Sequence, residues 1–129
     1  MPQIKIFGLR KNLESKRSAL SHAIHRALME AIGTPESKMF QRFVVLEPEN
    51  FLYPNNRTQD YTIIEISMFG GRSVEAKKNL IRLLYRKIED STNIKSQDLE
   101  ITIFETPRCN WGVRGTPGDE LRLNYQVDI

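Results

Sequence analysis

Hydrophobic and polar residues alternate early in the chain, with Ile4 and Ile6 on one side and Gln3 and Lys5 on the other. That period of two predicts a strand over residues 3 to 7. From residue 14 the period changes. Leu20, Ala23, Ile24, Ala27, Leu28, Ala31 and Ile32 recur at steps of three and four, the apolar stripe of a helix that runs to residue 32. Gly33 and Pro35 end it, because glycine accepts the left-handed conformation past a helix terminus and proline cannot continue the hydrogen-bond ladder. The run FVVL, Phe43 to Leu46, predicts a buried second strand. The same order then returns. YTIIEISMF predicts a third strand, Leu80, Leu83, Leu84 and Ile88 line a second helix that starts after an N-cap at Ser73, and LEITIFE alternates as the closing strand.

Setting FGLR (Phe7 to Arg10) over FGGR (Phe69 to Arg72) aligns strand with strand and helix with helix, so the chain reads as one β-α-β unit used twice. A single domain over residues 1–129 is expected, with pseudo-repeats at about 1–47 and 61–106 and a tail over 107–129. Each unit has a right-handed crossover and parallel strands. The linker Pro48 to Asp60, PENFLYPNNRTQD, is longer than the ~2–5 residues of a hairpin loop. It therefore favours strands two and three at separate places in the sheet. The expected fold is α/β (α+β): a four-stranded mixed sheet in the order 2-1-3-4, with the first and third strands antiparallel at its centre and two helices on one face.

Composition narrows the function classes. Apolar residues are 40% and charged residues 27% of the 129, which excludes disordered and fibrous classes. The net charge of +3 comes from interleaved signs, so no basic face for nucleic acid is expected. No apolar run approaches the ~20 residues of a membrane span, and no secretory leader is visible, so a cytoplasmic protein with no membrane partner is expected. Cys109 has no second cysteine in the chain to pair with.

The expected topology gives Pro2 a chemical meaning. Antiparallel pairing of the central strands sets the start of the first beside the end of the third, so Pro2 faces FGGR. Gly70 and Gly71 let the backbone turn closely, Arg72 offers a planar fork of donors, and the helix start at Ser73 points N–H groups the same way. The candidate site is thus a carboxylate clamp of Arg72 with Gly71 beside an amine. If Met1 is removed, Pro2 bears a secondary amine; α-amino groups titrate near ~8, and a nearby guanidinium with partial burial lowers that value toward neutrality. With Met1 retained, the Pro2 nitrogen is a non-basic amide. The related position near Arg10 faces an internal strand and has no amine, so one chemical site per chain is expected.

These features resemble the tautomerase superfamily, whose members use an amino-terminal proline in a β-α-β fold. The fused, two-unit members of the 4-oxalocrotonate tautomerase type are the most similar, and among them the malonate semialdehyde decarboxylase group, through AIHRALMEAIGTPESKMFQ, GGRSVEAKK and ETPRCNWGVRG. The resemblance implies that Pro2 is the catalytic proline, that Arg72 binds substrate carboxylate, and that Trp111 walls the pocket. It also implies a homotrimer with helices outside. The decarboxylase pattern has an arginine where Gly70 stands and an aspartate near Lys38.

The implied function is a cofactor-independent tautomerase or isomerase acting on a small carboxylate-bearing oxo acid or its enol. A decarboxylase or hydratase of a small 3-oxo or unsaturated acid is the first alternative, and a non-catalytic trimeric binding module the second. RNA binding would need two or three aromatics on the central strands to stack bases, and only Phe7 and Phe69 are near suitable places, both at strand ends. Arg114 either reaches the pocket or pairs with Asp119 or Glu120. His22 and His25 read as surface or interface residues with no metal-ligand set around them, and no metal or cofactor is expected. Lys38 reads as solvated, Arg10 as a surface or intersubunit residue, and Cys109 as a plain packed or half-buried thiol. The alternating tail Leu121, Leu123, Tyr125, Val127 is a candidate strand for holding the oligomer.

Overall fold

β-branched and aromatic residues at alternate positions build the centre of the sheet. β1 (Gln3–Leu9) and β3 (Thr62–Phe69) pair antiparallel, from Gln3 opposite Ser67 to Gly8 opposite Thr62. The computed structural model describes residues 2–122. β2 (Gln41–Leu46) lies parallel to β1, and β4 (Leu99–Thr106) parallel to β3, so the strand order is β2-β1-β3-β4 as the linker length led us to expect.

Ile4, Ile6, Ile64, Ile66 and Met68 point to one face of this sheet and are fully buried under α1 (Arg10–Ile32) and α2 (Val74–Thr92). The helices meet them through Leu13, Leu20, Ile24, Leu28 and Ile32 and through Leu80, Leu83, Leu84 and Ile88. The opposite face has no helix over it, and its residues Gln3, Lys5, Phe7, Ile63, Glu65 and Ser67 are half-buried.

Two expectations need correction. FVVL is half-buried rather than buried: β2 is an edge strand, and only Phe43 and Val45 pack on the helix-covered core. α1 starts at Arg10, before the apolar stripe begins, and its N-cap Leu9 makes no side-chain cap bond. Instead Arg10 pairs with Glu14 one turn on, and Asn12 donates to Thr62 Oγ1 at 3.1 Å, tying the first turn to β3. α2 starts as expected, with Ser73 Oγ accepting from the Ala76 N–H at 3.1 Å. α1 ends at Gly33, which has φ 68°.

A second apolar cluster sits under the linker, where Leu9, Phe51 and Tyr61 are buried and Phe51 stacks on Tyr61 at 5.4 Å. Beyond β4 a two-residue turn joins β5 (Gly112–Val113) to β6 (Thr116–Pro117). Residues 118–120 form a 3-10 turn; of the alternating tail positions read as a strand, Leu123, Tyr125 and Val127 lie outside the described residues.

Candidate active site

The register decides which residues share an end of the sheet. Gln3 is paired with Ser67, so Pro2, one residue earlier and buried, lies level with Met68. From there the chain leaves β3 through Phe69 into Gly70, Gly71 and Arg72. On the other flank, the Ile4 N–H donates to the Phe40 carbonyl at 2.9 Å, which sets Lys38–Phe40 beside the start of β1. Across β3, the Gly70 N–H donates to the Thr106 carbonyl at 2.9 Å and carries the β4 pairing one step further. One end of the sheet therefore gathers Pro2, residues 38–40, residues 69–72 and the end of β4.

Gly71 turns the chain from β3 into α2 with φ 124°, a backbone that side chains oppose. Gly70 has no such need, and a Cβ there would meet only the Thr106 carbonyl oxygen at an ordinary 3.7 Å. Past this turn Arg72 is 5% exposed and folds back toward β3, its Nη1 donating to the Phe69 carbonyl at 3.0 Å. A guanidinium held in so little water interacts more strongly with an anion than one on the surface does. The N-terminal turn of α2 follows directly, with its capped N–H groups.

Trp111 is half-buried and packs edge-on against Phe69, with ring centres 5.0 Å apart, while its Nε1 donates to Thr106 Oγ1 at 2.7 Å. Arg108, which the sequence reading passed over, also lies over Phe69, with Cζ 5.5 Å from the ring centre. It also donates to the carbonyls of Gly118 and Leu121 at 3.2 and 2.9 Å. The segment after β4 is thus fastened onto the end of β3. Arg114 lies on the hairpin that follows β4. It sits exposed at the β5–β6 turn with φ 51°, and among the described residues no ion pair joins it to Asp119 or Glu120.

Arg10 is the counterpart of Arg72 in the first half and has a different environment. Its Nε lies 2.7 Å from Glu47 Oε1 and its Nη1 2.9 Å from Glu14 Oε1, and these carboxylates raise its pKa further, Glu47 most. Lys38 is half-buried and its N–H closes a turn on the Pro35 carbonyl at 2.9 Å. Cys109 is exposed, so the packed thiol is corrected. His22 is exposed as expected, but His25 is 5% exposed and faces the protein rather than the surface. No group of three or more His, Cys, Asp or Glu that could hold a metal occurs among the described residues. No described helix is long and apolar enough to cross a membrane.

The model of the family described as "Tautomerase enzyme" matches residues 38–114. The probable tautomerase YusQ of Bacillus subtilis is 26% identical over 116 residues, 86% of this chain and 91% of its own. The 2-hydroxymuconate tautomerase of Comamonas testosteroni is 33% identical over 57 residues, covering 44% of this chain and 90% of its own, a length that suits one half of a doubled unit. Among solved structures, a malonate semialdehyde decarboxylase superposes with a TM-score of 0.79 at 19% identity, covering 89% of this chain and 93% of that one. A native fused 4-OT superposes at 0.79 and 17% identity, covering 92% of this chain and 98% of that one.

Proposed function

Because the chain belongs to this tautomerase family, we propose that it is a single-domain enzyme in which Pro2, exposed by loss of Met1, interconverts the keto and enol forms of small 2-oxo acids. The observation that carries the reading is the strand register, which brings Pro2 and the Phe69–Arg72 turn to the same end of the sheet. The neutral Pro2 amine takes a proton from the carbon next to the substrate carbonyl, or, in the reverse direction, its protonated form returns one to the enol carbon. Arg72 and Gly71 hold the substrate carboxylate. The buried guanidinium also stabilises the negative charge that develops on the carbonyl oxygen as the proton leaves. Trp111, anchored through Phe69 and Thr106, walls the site.

Tautomerisation is preferred to decarboxylation or hydration because Lys38 and Gly70 stand where the decarboxylase-like pattern places an acid and a second arginine. The chain acts in the cytoplasm as a homotrimer. The helix-free sheet face, with half-buried Phe7 and Ile63 and with Phe104 46% exposed, is the surface that assembly would cover. Ketonisation of phenylenolpyruvate, followed by its enol absorbance, tests the reading. Pro2→Ala and Arg72→Ala are each expected to slow turnover by about 100-fold or more. Equal rates for these variants and the parent chain would sink it, and so would an intact mass showing Met1 fully retained in an active protein.

A further inference from the structure

His25 is a buried titratable group that the proposed chemistry leaves unused. It lies in the middle of α1, 5% exposed, with Nε2 2.8 Å from the Glu36 carbonyl oxygen. A carbonyl can only accept, so the ring carries its hydrogen on Nε2 and donates it. Nδ1 is buried with no hydrogen-bond partner among the described residues. One nitrogen therefore makes a directed bond, and the other is kept from water.

The bond reaches a particular place. Glu36 and Ser37 have exposed side chains, and the turn they form is closed by the Lys38 N–H on the Pro35 carbonyl at 2.9 Å. Two residues on, the Phe40 carbonyl accepts from the Ile4 N–H at 2.9 Å, next to Pro2. A cleft lined by His25 itself with His22, Arg26, Met29, Glu36 and Met39 borders the turn, so the outer side of the turn is not packed against the core. It is held on α1 by the Thr34 N–H, which donates to the Leu28 carbonyl at 3.4 Å, by His25 in the middle, and by Ser21 Oγ, which donates to Met39 Sδ at 3.6 Å near its other end.

We infer that His25 is a positioning residue: by donating to the Glu36 carbonyl it fixes the Pro35–Phe40 segment as the wall of the Pro2 site opposite Arg72. The inference rests on the proposed function for its effect on turnover, but not for its effect on the segment itself. The test compares the full chain with its His25→Gln, His25→Asn and His25→Leu variants. Gln places its amide nitrogen near the position of Nε2, whereas Asn places it near Nδ1 and falls short of the carbonyl.

Amide hydrogen exchange at Lys38 and Ile4 reads the segment, and phenylenolpyruvate turnover reads the site. In the Asn and Leu variants exchange at Lys38 is expected to accelerate about tenfold, with the β3–β4 ladder unchanged, and kcat/KM to fall about tenfold; Gln stays within about threefold of the parent in both. Should the Leu variant fail to fold, the two polar variants decide the matter alone. Unchanged exchange at Lys38 in the Asn variant, or equal behaviour of Asn and Gln, would overturn the inference. A parent chain without turnover would instead defeat the proposed function, and the exchange comparison would still judge His25.

Discussion

Gly118→Ala adds one methyl group at a position that offers no space for it. The added Cβ would lie 2.4 Å from the Arg108 carbonyl oxygen and 3.1 Å from Trp111 Cβ. The first neighbour is backbone and cannot rotate away. Arg108 and Trp111 are also bound to each other and to Gly118: the Trp111 N–H donates to the Arg108 carbonyl at 3.1 Å, and the Gly118 N–H to the Trp111 carbonyl at 2.8 Å. Separating them by several tenths of an ångström strains both bonds and the Arg108 contact with the Gly118 carbonyl at 3.2 Å. Overpacking of this kind costs about 1–3 kcal/mol.

Trp111 is the only tryptophan in the chain, so its emission reports the strained segment directly. The variant should show red-shifted emission, as the indole loosens from Phe69 and Thr106, together with a urea midpoint lower by about 0.5–1 M. Gly112→Ala is the control, because nothing lies within 4 Å of a Cβ there; its stability should stay within about 0.5 kcal/mol of the parent. Parental emission and midpoint in Gly118→Ala would refute the close-approach argument.

Other consequences follow from side chains away from the site. Burial, and then the hydrogen bond to Glu100, push the Tyr61 phenol up to about 12. The folded state thus keeps a proton that the unfolded phenol loses near ~10, so this contribution is complete below that pH and disappears as pH rises from there toward 12. Over that interval the parent should lose stability more steeply than Tyr61→Phe, and parallel curves would contradict the assignment. Glu100 is held below the usual carboxylate range, first by Tyr61 and then by Arg57; Glu100→Gln should therefore flatten the loss of stability as pH falls through the carboxylate range, as acid titration of unfolding would show. Asn12→Ala removes the amide that donates to Thr62 Oγ1 at 3.1 Å and to the Asp60 carbonyl at 3.2 Å, and accepts from Lys16 at 2.8 Å. It should cost about 1–3 kcal/mol in chemical denaturation, and a cost near zero would show that the first turn of α1 does not need this tie.

The parts of the fold that were legible in the sequence are those specified by local pattern. Alternation located β1, β3 and β4, the apolar stripe located most of α1, Ser73 marked the start of α2, and the long linker pointed to the strand order. The start of α1 was hidden because its tie is distant in sequence: Asn12 reaches Thr62, and Leu9 gives no capping signal. His25 was misread because its partner is a backbone carbonyl, which leaves no side-chain signature; its place directly after Ile24 on the stripe was the available hint. Arg108 was missed because its ring partner lies well back along the chain, on β3. At the site, the placing of Pro2 and the Phe69–Arg72 turn at one end of the sheet followed from topology, whereas the exposed place of Arg114 depended on a hairpin turn in which Arg114 and Gly115 are both left-handed.

The ion pairs around Arg10 have a bearing on ligand traffic. A metabolite carboxylate arriving there would have to displace Glu14 and Glu47, both supplied by the same chain and already within 3 Å, and would meet their repulsion on the way in. Intramolecular competitors of that kind are present at a constant, high local concentration, whatever the solution contains. The first turn of α1 is thereby shut to outside anions by acidic side chains of its own chain.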